Sequence, residues 1–205
     1  MKADVSIHAI GPPERDLLIA MYGRFDPLGA ALGLPPGTAE ARHMWIGSAL
    51  AQILNVAAFS PGGEVVGHCF LAADKPGSAE VAVFVHQESR RRGLGTALLK
   101  KALEWGWAAT LKRVWGVIAG DNRAALRLLM SCGFRLVESA CDVAALDIDL
   151  GAGREMPRPV REFPFGGQGE NIPGCTMGPR PQGETLSSAA KEGVGAGPEE
   201  QPRWG

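Results

Sequence analysis

No apolar run in the 205 residues approaches the ~18 needed for a membrane-spanning helix. The opening stretch, MKADVSIHAIGPPERD, lacks the apolar core of a signal peptide. A cytoplasmic protein without a membrane partner is therefore expected. Cysteine is scarce. Cys69, Cys132, Cys141 and Cys175 form no C-x-x-C pair, which points to free thiols in a reducing compartment. The four histidines show no H-x-x-x-H spacing, so no metal is expected. An excess of either sign of charge is missing too. The formal net charge is −1, against the basic balance of a general nucleic-acid binder. Tyrosine occurs once, as Tyr22.

What the chain does have is an apolar content of 45%, enough for one domain with a real core. Its most informative stretch is Glu80 to Leu99, EVAVFVHQESRRRGLGTALL. Val81 to Val85 is short, β-branched and aromatic, as in a buried strand. A basic turn and Gly93-Leu94-Gly95-Thr96 lead into a helical run. Strand, glycine loop and helix together offer free backbone N–H groups at the positive end of a helix dipole. That is an anion site, most often for phosphate. No Lys-Ser/Thr follows the glycines, which excludes an NTPase loop. Leu98 stands where a dinucleotide fingerprint has its third glycine,.

The rest of the domain reads in order. Val5 to Ile10 alternates as a strand, and a helix follows Pro13 through Tyr22. Arg24 to Gly37 is too rich in Gly and Pro for one regular element,. Thr38 caps a helix from Ala39 to Leu54. Val56 to Phe59 and Glu64 to Ala72 form a hairpin, and Lys75 to Ser78 turn the chain into the Val81 strand. A helix from Leu94 to Ala109 carries its only polar stripe at Lys100, Lys101 and Glu104, so most of it is buried. Arg113 to Ala119 is a strand. Asn122 opens a helix that Gly133 closes. Phe134 to Val137 and Val143 to Leu150 are the last strands, paired antiparallel. Beyond Leu150, Gly and Pro make up 20 of 55 residues. With no hydrophobic periodicity, residues 151–205 are expected to be a disordered tail.

The pattern Arg90-x-x-Gly93-x-Gly95, followed by Asn122-x-x-Ala125-x-x-Leu128 and Cys132-Gly133-Phe134, resembles the GNAT (Gcn5-related) N-acetyltransferases. The two motifs lie about 30 residues apart, each on the matching element. The resemblance covers about Val5 to Leu150. It is most similar to bacterial domains of the Pat-like protein lysine acetyltransferase kind. It implies an α/β fold with a mixed, mainly antiparallel sheet flanked by helices.

The resemblance also implies a cofactor, acetyl-coenzyme A (acetyl-CoA), and roles for named residues. Backbone N–H groups from Arg90 through Arg91, Gly93, Leu94, Gly95 and Thr96 would hold the pyrophosphate, while Arg92 is read as solvated. The Val83, Phe84 and Val85 backbone would pair with the pantetheine amides, with a free N–H near Val83 facing the thioester oxygen. Asn122 and Ala125 would lie beside the pantetheine arm. Glu80 begins an otherwise apolar strand and is the candidate general base. Many relatives carry a Tyr where this chain has Leu129, which in them protonates the leaving thiolate. Tyr22 to Pro36 would line the acceptor side. His68 and His86 are read as structural or solvated, and the tryptophans as packing.

The function expected is acetyl transfer to a primary amine, in a protein lysine or a small molecule, by direct attack in a ternary complex. A catalytically silent acyl-CoA-binding module is the alternative; Leu129 favours it and Glu80 opposes it. The oligomeric state expected is monomer or homodimer.

Overall fold

A computed structural model of the chain describes residues 5–140 and 142–151. Seven strands form one sheet in the order β1-β2-β3-β4-β5-β7-β6. They are β1 (Ser6–Ala9), β2 (Leu54–Phe59), β3 (Val65–Lys75), β4 (Ser78–Val85), β5 (Arg113–Ala119), β6 (Arg135–Ala140) and β7 (Val143–Asp149). The helices are α1 (Arg15–Gly23), α2 (Ala39–Leu50), α3 (Leu94–Ala108) and α4 (Arg123–Ser131). Every pairing is antiparallel except β4 with β5. This is the mixed, mainly antiparallel α/β architecture expected.

Strand alternation divides the core into two layers. Odd residues of β4, Val81, Val83 and Val85, pack with Leu98, Leu99 and Leu129 of α3 and α4. Even residues, Ala82 and Phe84, pack with Leu18, Tyr22, Trp45 and Ile46 of α1 and α2. Leu98 and Leu99 are wholly buried; each contributes roughly 1.5–3 kcal/mol by leaving water. Close approach of α3 depends on a missing side chain. A Cβ at Gly106 would lie 2.8 Å from Leu71 Cδ1.

Several boundaries differ from the sequence expectation, β3 among them, which runs on past Ala72 to Lys75. Helix α2 stops at Leu50 rather than Leu54. The Asn55 side-chain amide and the Gln52 N–H both donate to the Ala49 carbonyl, closing the helix and releasing Leu54 into β2. The turn before β4 is shorter than expected, because Ser78 already pairs with Lys75 and Arg113. Strand β6 runs past Val137 to Ala140, tied to β7 through a bulge after Leu136. The tail expected beyond Leu150 lies outside the described residues, apart from Gly151.

The feature that positions the site is the short β4–β5 ladder. It holds only Ser78–Glu80 against Arg113–Trp115, and then the strands part. β4 continues along β3 to Val85, while β5 continues along β7 to Ala119. At the fork Val81 packs over Gly116, where an added Cβ would meet Val81 Cγ1 at 3.3 Å.

Candidate active site

The fork between β4 and β5 is a cleft of about 770 Å³, counting space open to solvent. The backbone of β4 forms one wall. The His86 N–H donates to the Val66 carbonyl at 3.0 Å, which sets the antiparallel alternation. Even residues of β4 bond to β3, and the backbone groups of Val81, Val83 and Val85 turn toward β5. Past Glu80 no strand meets them there. Val83 thus presents its backbone groups, and Val85 its N–H, to the gap; the Val85 carbonyl is taken by Arg90. Phe84 does not, since its register partner is His68 on β3. Its ring lines the cleft instead.

Below the cleft lies the start of α3. Gly93 precedes the helix with φ +79° and Arg91 has φ +62°, a pair of left-handed turns that aims the chain into α3. The first intrahelical bond runs from Ala97 N–H to the Gly93 carbonyl at 3.0 Å. No side chain caps this end. The N–H groups of Leu94, Gly95 and Thr96 therefore remain available, with the helix dipole behind them. Gly95 serves a different purpose: its Cβ would come within 3.2 Å of Leu128 Cδ2, so the glycine lets α3 and α4 meet.

Arg90 departs from a simple phosphate role. Its N–H turns back to the Gln87 carbonyl at 3.4 Å, so the open row starts after it. Its guanidinium donates to the Val85 carbonyl at 2.9 Å and the Asp26 carbonyl at 2.6 Å. It also lies 5.2 Å from the Phe25 ring centroid. Gln87 completes this strap, donating to the Arg24 carbonyl at 2.7 Å and accepting from the Asp26 N–H at 3.1 Å. The loop after α1 is thereby tied to the loop before α3. Sequence reasoning missed Gln87 altogether. Nothing local marks a partner more than 60 residues away.

The far wall comes from β5 and α4. The Asn122 side chain caps α4 by accepting the Ala125 N–H at 3.0 Å. Asn122 and Ala125 both line the cleft, together with Leu128 and Leu129. Leu129 is buried, so the cleft wall is hydrocarbon at this position. Glu80 lines the opposite end and is 8% exposed. Alternation puts it on the α1/α2 face of β4, below Ala31, Leu32 and Leu34 of the loop after α1. Of the Tyr22 to Pro36 segment, those three residues reach the cleft. Tyr22 does not. Its hydroxyl lies 2.9 Å from His68 Nδ1, and His68 Nε2 lies 3.0 Å from Asn55 Oδ1.

Neither described cysteine is poised as a nucleophile. Burial pushes the Cys69 thiol far up and raises that of Cys132. No group of His, Cys, Asp and Glu residues fit to hold a metal occurs among the described residues. No described helix is long and apolar enough to cross a membrane.

Residues 33–134 match the model of the acetyltransferase (GNAT) family. No curated protein sequence matches the chain. Solved structures do. A GNAT superfamily phosphinothricin acetyltransferase (Pat) from Sinorhizobium meliloti, in complex with acetyl-CoA, is 18% identical with a TM-score of 0.61. The match covers 78% of this chain and 96% of that one. The GNAT domain of S. lividans PAT is 18% identical, TM-score 0.62, over 71% and 90% of the two chains. Mutant forms of the spermidine/spermine N-acetyltransferase SpeG from Vibrio cholerae are 14% identical, TM-score 0.56, over 71% and 93%.

Proposed function

We propose that this chain, whose residues 33–134 match the acetyltransferase (GNAT) family model, is an acetyl-CoA-dependent N-acetyltransferase that acetylates a primary amine by direct attack in a ternary complex. The observation that carries this reading is the fork past Glu80. It gathers a carboxylate, the β4 backbone and the α4 cap around one cleft, above an uncapped helix start.

These residues suit acetyl-CoA. The N–H groups of Arg91 through Thr96 would hold its pyrophosphate, and space beside Gly93 is open, with nothing within 4 Å of an added Cβ. The backbone groups of Val83 and the Val85 N–H would pair with the pantetheine amides as an added strand does. Asn122 and Ala125 would flank that arm. When bound, acetyl-CoA supplies an acetyl group activated as a thioester.

The chain's own residues do the rest. An aliphatic amine has a pKa near ~10.4, so it enters protonated at neutral pH. Glu80 takes that proton, directly or through one water. The Val83 N–H holds the oxygen on which charge develops. Among the described residues both thiols, Cys69 and Cys132, are buried and offer no nucleophile for a relayed transfer, which favours direct attack. Leu129 supplies no acid. A thiol pKa near ~8.5 makes the thiolate a tolerable leaving group without one. Residues 1–150 form the catalytic domain, and the tail takes no part.

Release of free thiol from acetyl-CoA across a panel of amines tests the reading, with coenzyme A affinity measured in parallel. Amine-dependent release supports it. Binding without release for every amine would favour the silent module, for which the buried Leu129 speaks.

A further inference from the structure

We propose that Trp115, held by Asp74, is a positioning residue that fixes Glu80 at the fork for proton removal. This deepens the acetyl transfer proposed above and rests on Glu80 as its base. Glu80 and Trp115 form the last rung of the β4–β5 ladder. One rung earlier, Ala79 and Val114 both lie in the core layer beneath α3. Alternation therefore sends the side chains of Glu80 and Trp115 together to the opposite face.

The indole is anchored there. Its Nε1–H donates to Asp74 Oδ2 at 3.1 Å. Asp74 belongs to β3, on the far side of β4, so the ring reaches across β4. Asp74 is the bulge residue between the Ala73–Ala79 and Lys75–Ser78 pairs, while Trp115 starts level with Glu80. The indole thus crosses β4 between Ser78 and Glu80, the two residues that β4 turns to this face. Both are buried, Ser78 at 3% exposure and Glu80 at 8%. Among the described residues the Ser78 Oγ has no hydrogen-bond partner, as fits a hydroxyl beneath an apolar ring.

The groups around the ring are themselves held. Asp74 Oδ1 accepts the Lys75 N–H at 2.8 Å. On the other flank Asp147, the β7 partner of Trp115, accepts from Arg113 Nε and Nη2, both at 2.8 Å. The Trp115–Asp74 bond also ties β5 to β3 at the rung where the β4–β5 ladder ends, so it fixes where the fork opens. A base must lie within about 2.6–3.2 Å of the proton it takes. A displacement of about 1 Å can cost about 100-fold. A clamped ring against one side of Glu80 limits that displacement before the acceptor arrives.

The test is a double-mutant cycle, read with the fastest amine among propylamine, spermidine, leucine and a capped lysine peptide. Trp115→Phe keeps a ring and removes the donor; Asp74→Ala removes the acceptor. Each should lower kcat by about tenfold or more, with the acceptor KM and calorimetric coenzyme A affinity within about twofold. Asp74→Asn retains an acceptor oxygen and should keep most of the parent turnover. In a Glu80→Gln background Trp115→Phe should cost less than about twofold, because the base it positions is gone. Should Trp115→Phe not fold, Asp74→Ala and Asp74→Asn carry the same comparison. Equal losses in both backgrounds overturn the assignment, as does parent-like kcat in Trp115→Phe or Asp74→Ala. Glu80→Gln alone turning over like the parent, or transfer to no amine with coenzyme A still bound, overturns the underlying reading and the assignment with it.

Discussion

Acidification should weaken the fold through one buried histidine. His68 is fully buried between the Tyr22 hydroxyl and the Asn55 amide. The Asn55 nitrogen donates to the Ala49 carbonyl at 3.0 Å, so its oxygen faces His68 and accepts from Nε2–H. Nδ1 is then an acceptor for the Tyr22 hydroxyl, and a second proton has no place. Burial lowers the His68 pKa from 6.5 to about 3. In the unfolded chain the imidazole takes up a proton below about 6.5, while the folded protein does not. Stability therefore falls as pH drops from about 6.5 toward 3. The slope is about 1.4 kcal/mol per pH unit once the unfolded histidine is charged. Between pH 7 and pH 5 this amounts to about 2 kcal/mol. Urea unfolding at both pH values, on the parent and on His68→Gln, isolates the effect, because other titrations occur in both. The parent should lose about 2 kcal/mol more than the variant. Parallel losses would refute a neutral buried His68.

Gly93→Val forces a β-branched residue to φ +79° at the head of the phosphate loop. Calorimetric affinity for coenzyme A should fall about tenfold or more, and unchanged affinity in a folded variant would contradict the loop's role. Gln87→Ala removes both side-chain bonds of the strap. It should raise the acceptor KM by about fivefold with kcat little changed, as expected for losing about 1 kcal/mol of loop order. An unaltered KM would show that the strap does not hold the acceptor side. A chain ending at Gly153 should melt within about 2 °C of the full chain, and a much larger drop would show that the tail packs on the domain.

Much of the fold was legible because each element carries its own local signal. The Val81 to Val85 run, Thr38 ahead of α2 and Gly133 after α4 each state a strand, a start and a stop. The fork was not legible. It depends on where two ladders end and on Val81 meeting Gly116, neither of which leaves a periodic trace. Arg90 misleads for a related reason. A guanidinium in a glycine loop reads as an anion ligand, yet its nearest acceptors are two carbonyls, one of them 64 residues away. The strand signal of Phe84 does not tell which neighbour its backbone faces; the pairing with β3 turns that backbone to His68 and leaves the ring in the cleft. The hydrophobic roof at Ala31, Leu32 and Leu34 lay within a segment whose Gly and Pro content declared only irregularity.

The central claim is that Glu80 removes the acceptor's proton, and the pH–rate profile of Glu80→Gln tests it most directly. The substitution keeps size and polarity while removing the base. Turnover at neutral pH should fall by about 10²–10⁴-fold. Coenzyme A affinity should hold, because Glu80 lies at the opposite end of β4 from the phosphate loop. Activity should recover as pH rises toward the amine pKa near ~10.4. A variant that turns over like the parent at neutral pH would contradict the account.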